Sequence, residues 1–288
     1  MAELRNGQFR INGYTFGCGQ RVDVTEFETG GWKWRNQDDA NPNADGILVG
    51  RDYADGVDAQ FKIVVKGTTP ADAVDANREF QAAWEDQSRT TPGHIIPLSY
   101  GIAGRVGRIY GRPREVSVSE TTLFSQPRAK GEATFQRTDP LFYSDSSQGV
   151  DLTLFPAEAG GLIFPTPFPW GSTPGGPRSG VIAVEGDRPA PITAVIYGPV
   201  TSPRLTGPGW SITLSGLSLA WDQSVTIDSR NLTVLRNDGA SMAQYLTRGS
   251  YLRDAAMRPG VREVTYQGTD NTGTSRATVD WYPAYKAL

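Results

Sequence analysis

Leu162-Ile163-Phe164-Pro165-Thr166-Pro167-Phe168-Pro169-Trp170-Gly171, followed by Thr173-Pro174-Gly175-Gly176-Pro177, is the stretch that decides how the rest of the chain is read. Proline removes a backbone donor and fixes φ, so neither a helix nor a central strand runs through it. The segment before it carries one strong helix, and the segment after it carries only short strands and turns. The expected organisation is therefore a first domain over 1–150, a Pro/Gly-rich connector over 151–179 and a second, all-β domain over 180–288. A rigid, apolar connector between two β-rich halves suits a part in an assembly better than an active-site lid.

Working back from the joint, the one convincing helix starts at Thr69. That residue can cap the first turn, Pro70 suits the first helical position, and Asp72 complements the positive end of the dipole. Ala73, Ala76, Phe80, Ala83 and Trp84 recur at helical spacing, and Thr91-Pro92-Gly93 blocks continuation. The stripe predicts that Phe80 and Trp84 pack on the face of a sheet. Strands are predicted at Phe9–Tyr14, Phe61–Lys66, Ile95–Tyr100, Arg108–Tyr110, Arg114–Val118 and Ala129–Arg137, and Asp139–Ser144 closes this half. Residues Gln37 to Gly56 are rich in Asn, Asp and Gly with little periodicity; they read as a long exposed loop able to serve as an interface arm.

Beyond the joint, apolar runs centred on Ile182, Val195, Leu205, Ile212, Leu219, Ile227 and Val234 recur every roughly 7 to 15 residues with turns between, the pattern of a β-sandwich. Asn237-Asp238-Gly239 and Asp270-Asn271-Thr272-Gly273 are expected hairpin turns, and Ala277–Tyr282 is the final run. The fold class is mainly β.

Composition excludes several functions. The 288-residue chain carries a net charge of −3, which argues against nucleic-acid binding driven by phosphate neutralisation. One cysteine, Cys18, allows no intrachain disulfide and fits folding in a reducing cytoplasm. Met1–Arg10 is polar, so no secretory signal is predicted, and no run of about 18 apolar residues predicts a membrane span.

Enzyme signatures are sparse. His94 is the one histidine, follows a Pro-Gly turn and precedes Ile95-Ile96, so it reads as a strand-entry residue rather than a catalytic base. With one Cys and one His there is no zinc site of those ligands, and neither a Walker loop nor a dinucleotide fingerprint occurs. Asn41, Asn43, Asp45, Gly46 and Asp52 loosely imitate a calcium loop, but a neutral first ligand and a short last one favour a surface loop. Asp38, Asp39, Asp52, Asp55 and Asp58 could supply paired carboxylates for glycoside hydrolysis, with solvation or intersubunit ion pairs the better reading. No catalytic residue, cofactor or metal is predicted.

What remains points to an interface. Trp32 and Trp34 lie two apart and would share a face of a strand, stacking on a sugar or, the preferred reading, packing in a core or subunit contact. Arg105, Arg108, Arg112 and Arg114 form a basic cluster with no neighbouring acid until Glu115. Phosphate contact is one use for it; pairing with the acidic loop of an adjacent copy is the favoured one. The candidate subunit interface is therefore Trp32, Trp34, Asp38, Asp39, Asp52 and Asp55 against Arg105, Arg108, Arg112 and Arg114.

The second half resembles the carboxy-terminal module of the siphophage distal tail protein family. The matching residues are Gly186-Asp187-Arg188-Pro189-Ala190-Pro191-Ile192, Tyr197-Gly198-Pro199-Val200-Thr201-Ser202-Pro203, Val225-Thr226-Ile227-Asp228, Leu232-Thr233-Val234, Asn237-Asp238-Gly239, Arg258-Pro259-Gly260, Gly273 and Val279-Asp280-Trp281-Tyr282. Asp139-Pro140-Leu141-Phe142-Tyr143 is similar to that family's domain-closing segment, and Gly161 through Pro169 to connectors in tail proteins of phages that infect actinobacteria. The resemblance implies an amino-terminal β-sandwich with a packed helix that forms a ring of about six copies, and a galectin-like outer sandwich. It implies a virion tail-tip location, with synthesis and assembly in the host cytoplasm. Implied partners are the tail tube protein, the tail-tip hub protein and the tape-measure protein, with no catalytic residues. The alternative is carbohydrate-binding host recognition through the outer sandwich, which would need Trp170, Trp210 and Trp221 exposed.

Overall fold

The computed structural model describes residues 4–85, 91–154, 180–270 and 272–288. The Pro/Gly joint over 155–179, Trp170 within it, and Asn271 lie outside the described residues. The chain divides into two compact units, Met1–Asp145 with Lys286–Leu288, and Ser146–Tyr285. The architecture is mainly β in both, with one helix of substantial length among the described residues.

In the first unit the strands are β1 (Gln8–Ile11), β2 (Tyr14–Gly17), β3 (Val22–Glu28), the short β4 (Trp34–Arg35), β5 (Asp39–Ala40), β6 (Ile47–Leu48) and β7 (Tyr53–Ala54), then β8 (Val57–Lys66). Helix α1 (Pro70–Trp84) follows, then β9 (Ile96–Ile102), β10 (Arg105–Val118), the single-turn α2 (Glu120–Leu123), β11 (Arg128–Arg137) and β12 (Phe142–Ser144). The main sheet is antiparallel in the order β2-β1-β9-β10-β11-β8-β3, and β12 pairs with β10.

Strand β8 alternates strictly, with Val57, Ala59, Phe61, Ile63 and Val65 buried on one face. Period-two alternation is what a strand with one wet face requires. The two ends of the sheet curl over one core. Phe16 of β2 lies 5.8 Å from Phe61, and Phe9 of β1 lies 4.8 Å from Phe27 of β3, edge-on in both cases. Helix α1 closes the layer as the sequence predicts. Thr69 Oγ1 accepts the Asp72 amide at 3.2 Å, Pro70 opens the helix, and Ala73, Ala76, Phe80 and Trp84 are buried. Phe80 and Trp84 reach Phe16 at 5.3 and 6.0 Å. Ala83 is half-buried at the helix edge, and its carbonyl accepts Asn12 Nδ2 at 3.0 Å.

Two expectations change here. Arg108–Tyr110 and Arg114–Val118 are not separate strands; they belong to the single strand β10. Pairing with β9 ends at Gly111, and the register against β11 shifts between Pro113 and Val116. Pro113 therefore sits at a bulge, where a missing N–H interrupts no continuous ladder. The loop over 37–56 is in fact part of an interrupted hairpin. Trp34 pairs with Ala54 and Arg35 with Tyr53, then Asp39 with Leu48 and Ala40 with Ile47, a slip of one residue between the two ribbons.

The second unit begins with β13 (Gln148–Thr153), so a strand runs into the start of the predicted connector: Leu152 is buried while its neighbours are exposed, and the strand pairs with β23. It continues with β14 (Gly180–Val184), β15 (Ala190–Tyr197), β16 (Val200–Gly207), β17 (Trp210–Thr213), β18 (Ser218–Leu219), β19 (Ser224–Asp228), β20 (Thr233–Arg236), β21 (Ala256–Met257), β22 (Gly260–Thr269), β23 (Arg276–Trp281) and β24 (Ala284–Tyr285). One sheet has the order β13-β23-β15-β19-β20, with β21 on β15; the other has β14-β22-β16-β17, with β18 on β16. Every apolar run singled out beyond the joint lies in a strand. Ile192, Ala194, Ile196, Ile227 and Val279 from the first sheet, and Leu205, Ile212 and Val264 from the second, are at most 1% exposed, as a sandwich core requires.

Asn237-Asp238-Gly239 forms the expected turn, with Gly239 at φ 83 and its amide on the Arg236 carbonyl at 2.8 Å. The turn at Asp270–Gly273 is not a hairpin: it joins β22 to β23, strands of different sheets. It is a corner held by the Asp270 carboxylate, which accepts the Thr272 amide and hydroxyl at 2.8 and 2.6 Å and the Ser275 amide at 2.8 Å.

Candidate assembly surface

The interrupted hairpin leaves the first unit between β3 and β8 and carries apolar groups in water. Trp34, Ile47, Leu48, Val49 and Tyr53 are 55, 64, 54, 81 and 40% exposed. Each is expensive to leave wet, at about 25 cal/mol per Å² of apolar surface, and their concentration on one short ribbon marks it as unfinished surface. Trp32 and Trp34 do share a face: their rings stack at 5.4 Å with 30° between planes. Trp32 is the better buried of the two; its Nε1 donates to the Lys286 carbonyl at 3.3 Å, and the Lys286 ammonium lies 5.4 Å from its ring centre.

The arm's acids divide into those already engaged and those facing solvent. Asp55 pairs with Arg35 at 3.3 Å, and Asp38 accepts the Gly50 amide at 2.9 Å across the hairpin. Asp39 and Asp52 are exposed. Asn41, Asn43, Asp45 and Gly46 form the tip, where Asn41 Oδ1 accepts the Asn43 amide at 3.1 Å and the Asn41 amide reaches the Gly46 carbonyl at 3.2 Å. This is a turn built from Asn side chains. Among the described residues no three His, Cys, Asp or Glu side chains gather to hold a metal ion.

Three of the four arginines of the cluster have acceptors within the chain. Arg108 is half-buried, chelating Asp145 at 2.7 and 3.0 Å through its side chain and donating to the Asp145 carbonyl at 3.0 Å. Arg112 donates to the carbonyls of His94 and of Thr91, the latter at 2.8 Å, and so ties down the loop before β9. Arg114 donates from Nε to Gln136 Oε1 at 2.9 Å across the β10–β11 pair. Arg105 is exposed at the first residue of β10, displaced along the strand from the other three. His94, exposed at the entrance to β9, contributes its carbonyl to this network.

A residue absent from the predicted site proves central to the arm. Arg137, the last residue of β11, is 1% exposed, and its side chain touches both the start of the arm and the closing segment after β11. Burial pushes its guanidinium below the usual arginine range, against the upward pull of Asp139, Tyr100 and Tyr143. Desolvation likewise lifts the Tyr100 phenol to about 12. The alternation of β11 puts Arg137 on the inward face with Ala129, Ala133 and Phe135, but nothing local names its partners.

In the second unit, Trp210 is buried and donates from Nε1 to the Ala256 carbonyl at 3.0 Å, whereas Trp221 is 83% exposed in the turn after β18. The requirement that both face solvent is therefore not met.

No model of a protein family matches the chain, and no curated protein does. Solved structures do. The chain is similar along nearly all its length to the SPP1 Dit (gp 19.1) protein, described as a paradigm of the hub adsorption apparatus in phages infecting Gram-positive bacteria: TM-score 0.60 and 11% identity, over 96% of this chain and 98% of that one. It is also similar to a chain of the phage P2 baseplate in its activated conformation with Ca, at TM-score 0.56 and 10% identity, over 98% of this chain and 99% of that one. The Sr form of that baseplate gives the same values. At such identity the likeness establishes a shared fold.

Proposed function

We propose that this chain is a non-enzymatic structural component of a long non-contractile phage tail tip, forming a ring of about six copies that joins the tail tube to the tail-tip hub. The observation that carries this reading is the end-to-end likeness to SPP1 Dit, which spans both units and not one common sandwich alone. The arm supports it independently. A ring closes through two different surfaces on each copy, and an arm with exposed Trp34, Ile47, Leu48 and Val49 supplies one of them. Asp39 and Asp52 on the arm, and Arg105 and Arg114 on β10, are the members of the predicted charged contact that are exposed. The ring would sit in the virion at the tail tip, around the path of the tape-measure protein.

Negative-stain imaging of the purified chain tests the reading. Closed rings are the expected result, and single particles of one chain's size at every concentration would count against it. A second reading, sugar binding by the outer sandwich, draws support from exposed Trp221 alone among the described tryptophans of that unit outside the core. Quenching of fluorescence by soluble glycans in wild type but not in Trp221→Ala would favour it.

A further inference from the structure

We propose that the Arg137 side chain is the clamp that fixes the direction of the assembly arm, by tying the outgoing strand of its root to the closing segment of the first unit. This rests on the reading of the arm as an assembly element and adds the residue that positions it. The guanidinium is fully buried, and its two terminal nitrogens go to different places: Nη1 donates to the Thr29 carbonyl at 2.8 Å and Nη2 to the Leu141 carbonyl at 3.0 Å. Thr29 is the first residue of the arm after β3. The planar fork of Arg137 lies over the Phe142 ring, with Cζ 4.3 Å from the centroid.

The returning strand is held at the same residue. Val57, which opens β8, pairs with Arg137. Just before it, Gly56 runs so close that a Cβ there would lie 2.8 Å from the Arg137 carbonyl oxygen. Gly30, at φ 71, passes Asp58 with equally little room: an added Cβ would lie 2.7 Å from its carbonyl oxygen. Two glycines thus bring both arm strands against the base of the sheet, and one arginine ties the outgoing strand to Leu141.

A buried cation is costly, and a hydrophobic side chain of similar length often does as well or better for stability alone. Here the cost is visible, because Arg137 Nε is buried with no hydrogen-bond partner among the described residues. What a hydrophobe cannot do is bridge two backbone carbonyls of separate segments, and a lysine ammonium lacks the rigid fork that spans them.

The test is hydrogen exchange on the full chain, comparing wild type with Arg137→Met and Arg137→Lys at a concentration where all three have the same mass. The Asp55 amide, which donates to the Lys33 carbonyl at 2.8 Å, and the amides of the paired root segments Trp34–Arg35 and Tyr53–Ala54 are expected to exchange at least about tenfold faster in the Met variant and to an intermediate degree in the Lys variant, while those of β9 and β10 stay within about twofold. A merely stabilising role would instead raise exchange across the whole unit. Root amides within about twofold of wild type in both variants would overturn the clamp. Should the Met variant not fold, the Lys variant, which keeps the charge, decides the question on the same criterion. The ring is judged separately: a wild type that never exceeds one chain's mass would overturn the ring, yet leave the exchange comparison able to support or overturn the clamp.

Discussion

At the scale of single residues, buried polar atoms separate what packs from what positions. Trp84 is 1% exposed, and its Nε1 has no hydrogen-bond partner among the described residues. Its contribution is its ring, set against Phe16, Phe61, Phe80 and Phe135. Trp84→Phe should therefore cost less than about 1.5 kcal/mol, since the lost volume is offset by removing a desolvated donor, whereas Trp84→Ala should cost about 3–5 kcal/mol. Chemical denaturation of both variants checks the contrast. Asp270 is the opposite case. Partial burial pushes its pKa up, but hydrogen bonds from the Thr272 hydroxyl and the amides of Ser275, Thr272 and Thr274 outweigh it and hold the carboxyl down at about 2. With the folded value below the unfolded one, near about 3.9, its contribution is complete above pH 4 and is lost as pH falls through about 2. Melting temperature measured between pH 5 and 2 should fall more steeply in wild type than in Asp270→Asn, and parallel curves would refute that role.

At the scale of elements, the legible parts were those whose signals are local. Thr69, Pro70 and Asp72 place the start of α1 by backbone chemistry alone, and the Ala73–Ala76–Phe80–Trp84 stripe says what it packs on. The alternation of Val57, Ala59, Phe61, Ile63 and Val65 does the same for β8. Strand β10 was not legible, because Gly111-Arg112-Pro113 carries every mark of a break, and only the neighbours β9 and β11, far apart in sequence, make it a bulge. The arm was legible as exposed but not as a hairpin, since its ribbons are short and wet on both faces. The same limit hid the partners of Arg137, since Thr29 and Leu141 arrive from different segments. The arginine cluster was legible as charge but not in its contacts within the chain. A run of like charges suggested one patch, yet Arg108, Arg112 and Arg114 each meet a different internal acceptor. Replacing residues 38–49 with Asn-Gly should leave a folded chain, because Gln37 and Gly50 already lie side by side, while abolishing the ring. Circular dichroism and particle images report the two effects independently; rings that survive the deletion would show that assembly does not use the arm.

At the scale of the whole molecule, the account turns on two units that together match one protein from end to end, with an apolar arm left in water on the first. The exposed apolar residues of that arm suit contact with further copies. The most direct test is the solution mass of the purified full chain by size exclusion with light scattering. One chain is 31.2 kDa. The account predicts a single species of about six times that mass, stable to dilution. A particle that stays at 31.2 kDa across concentrations would contradict it.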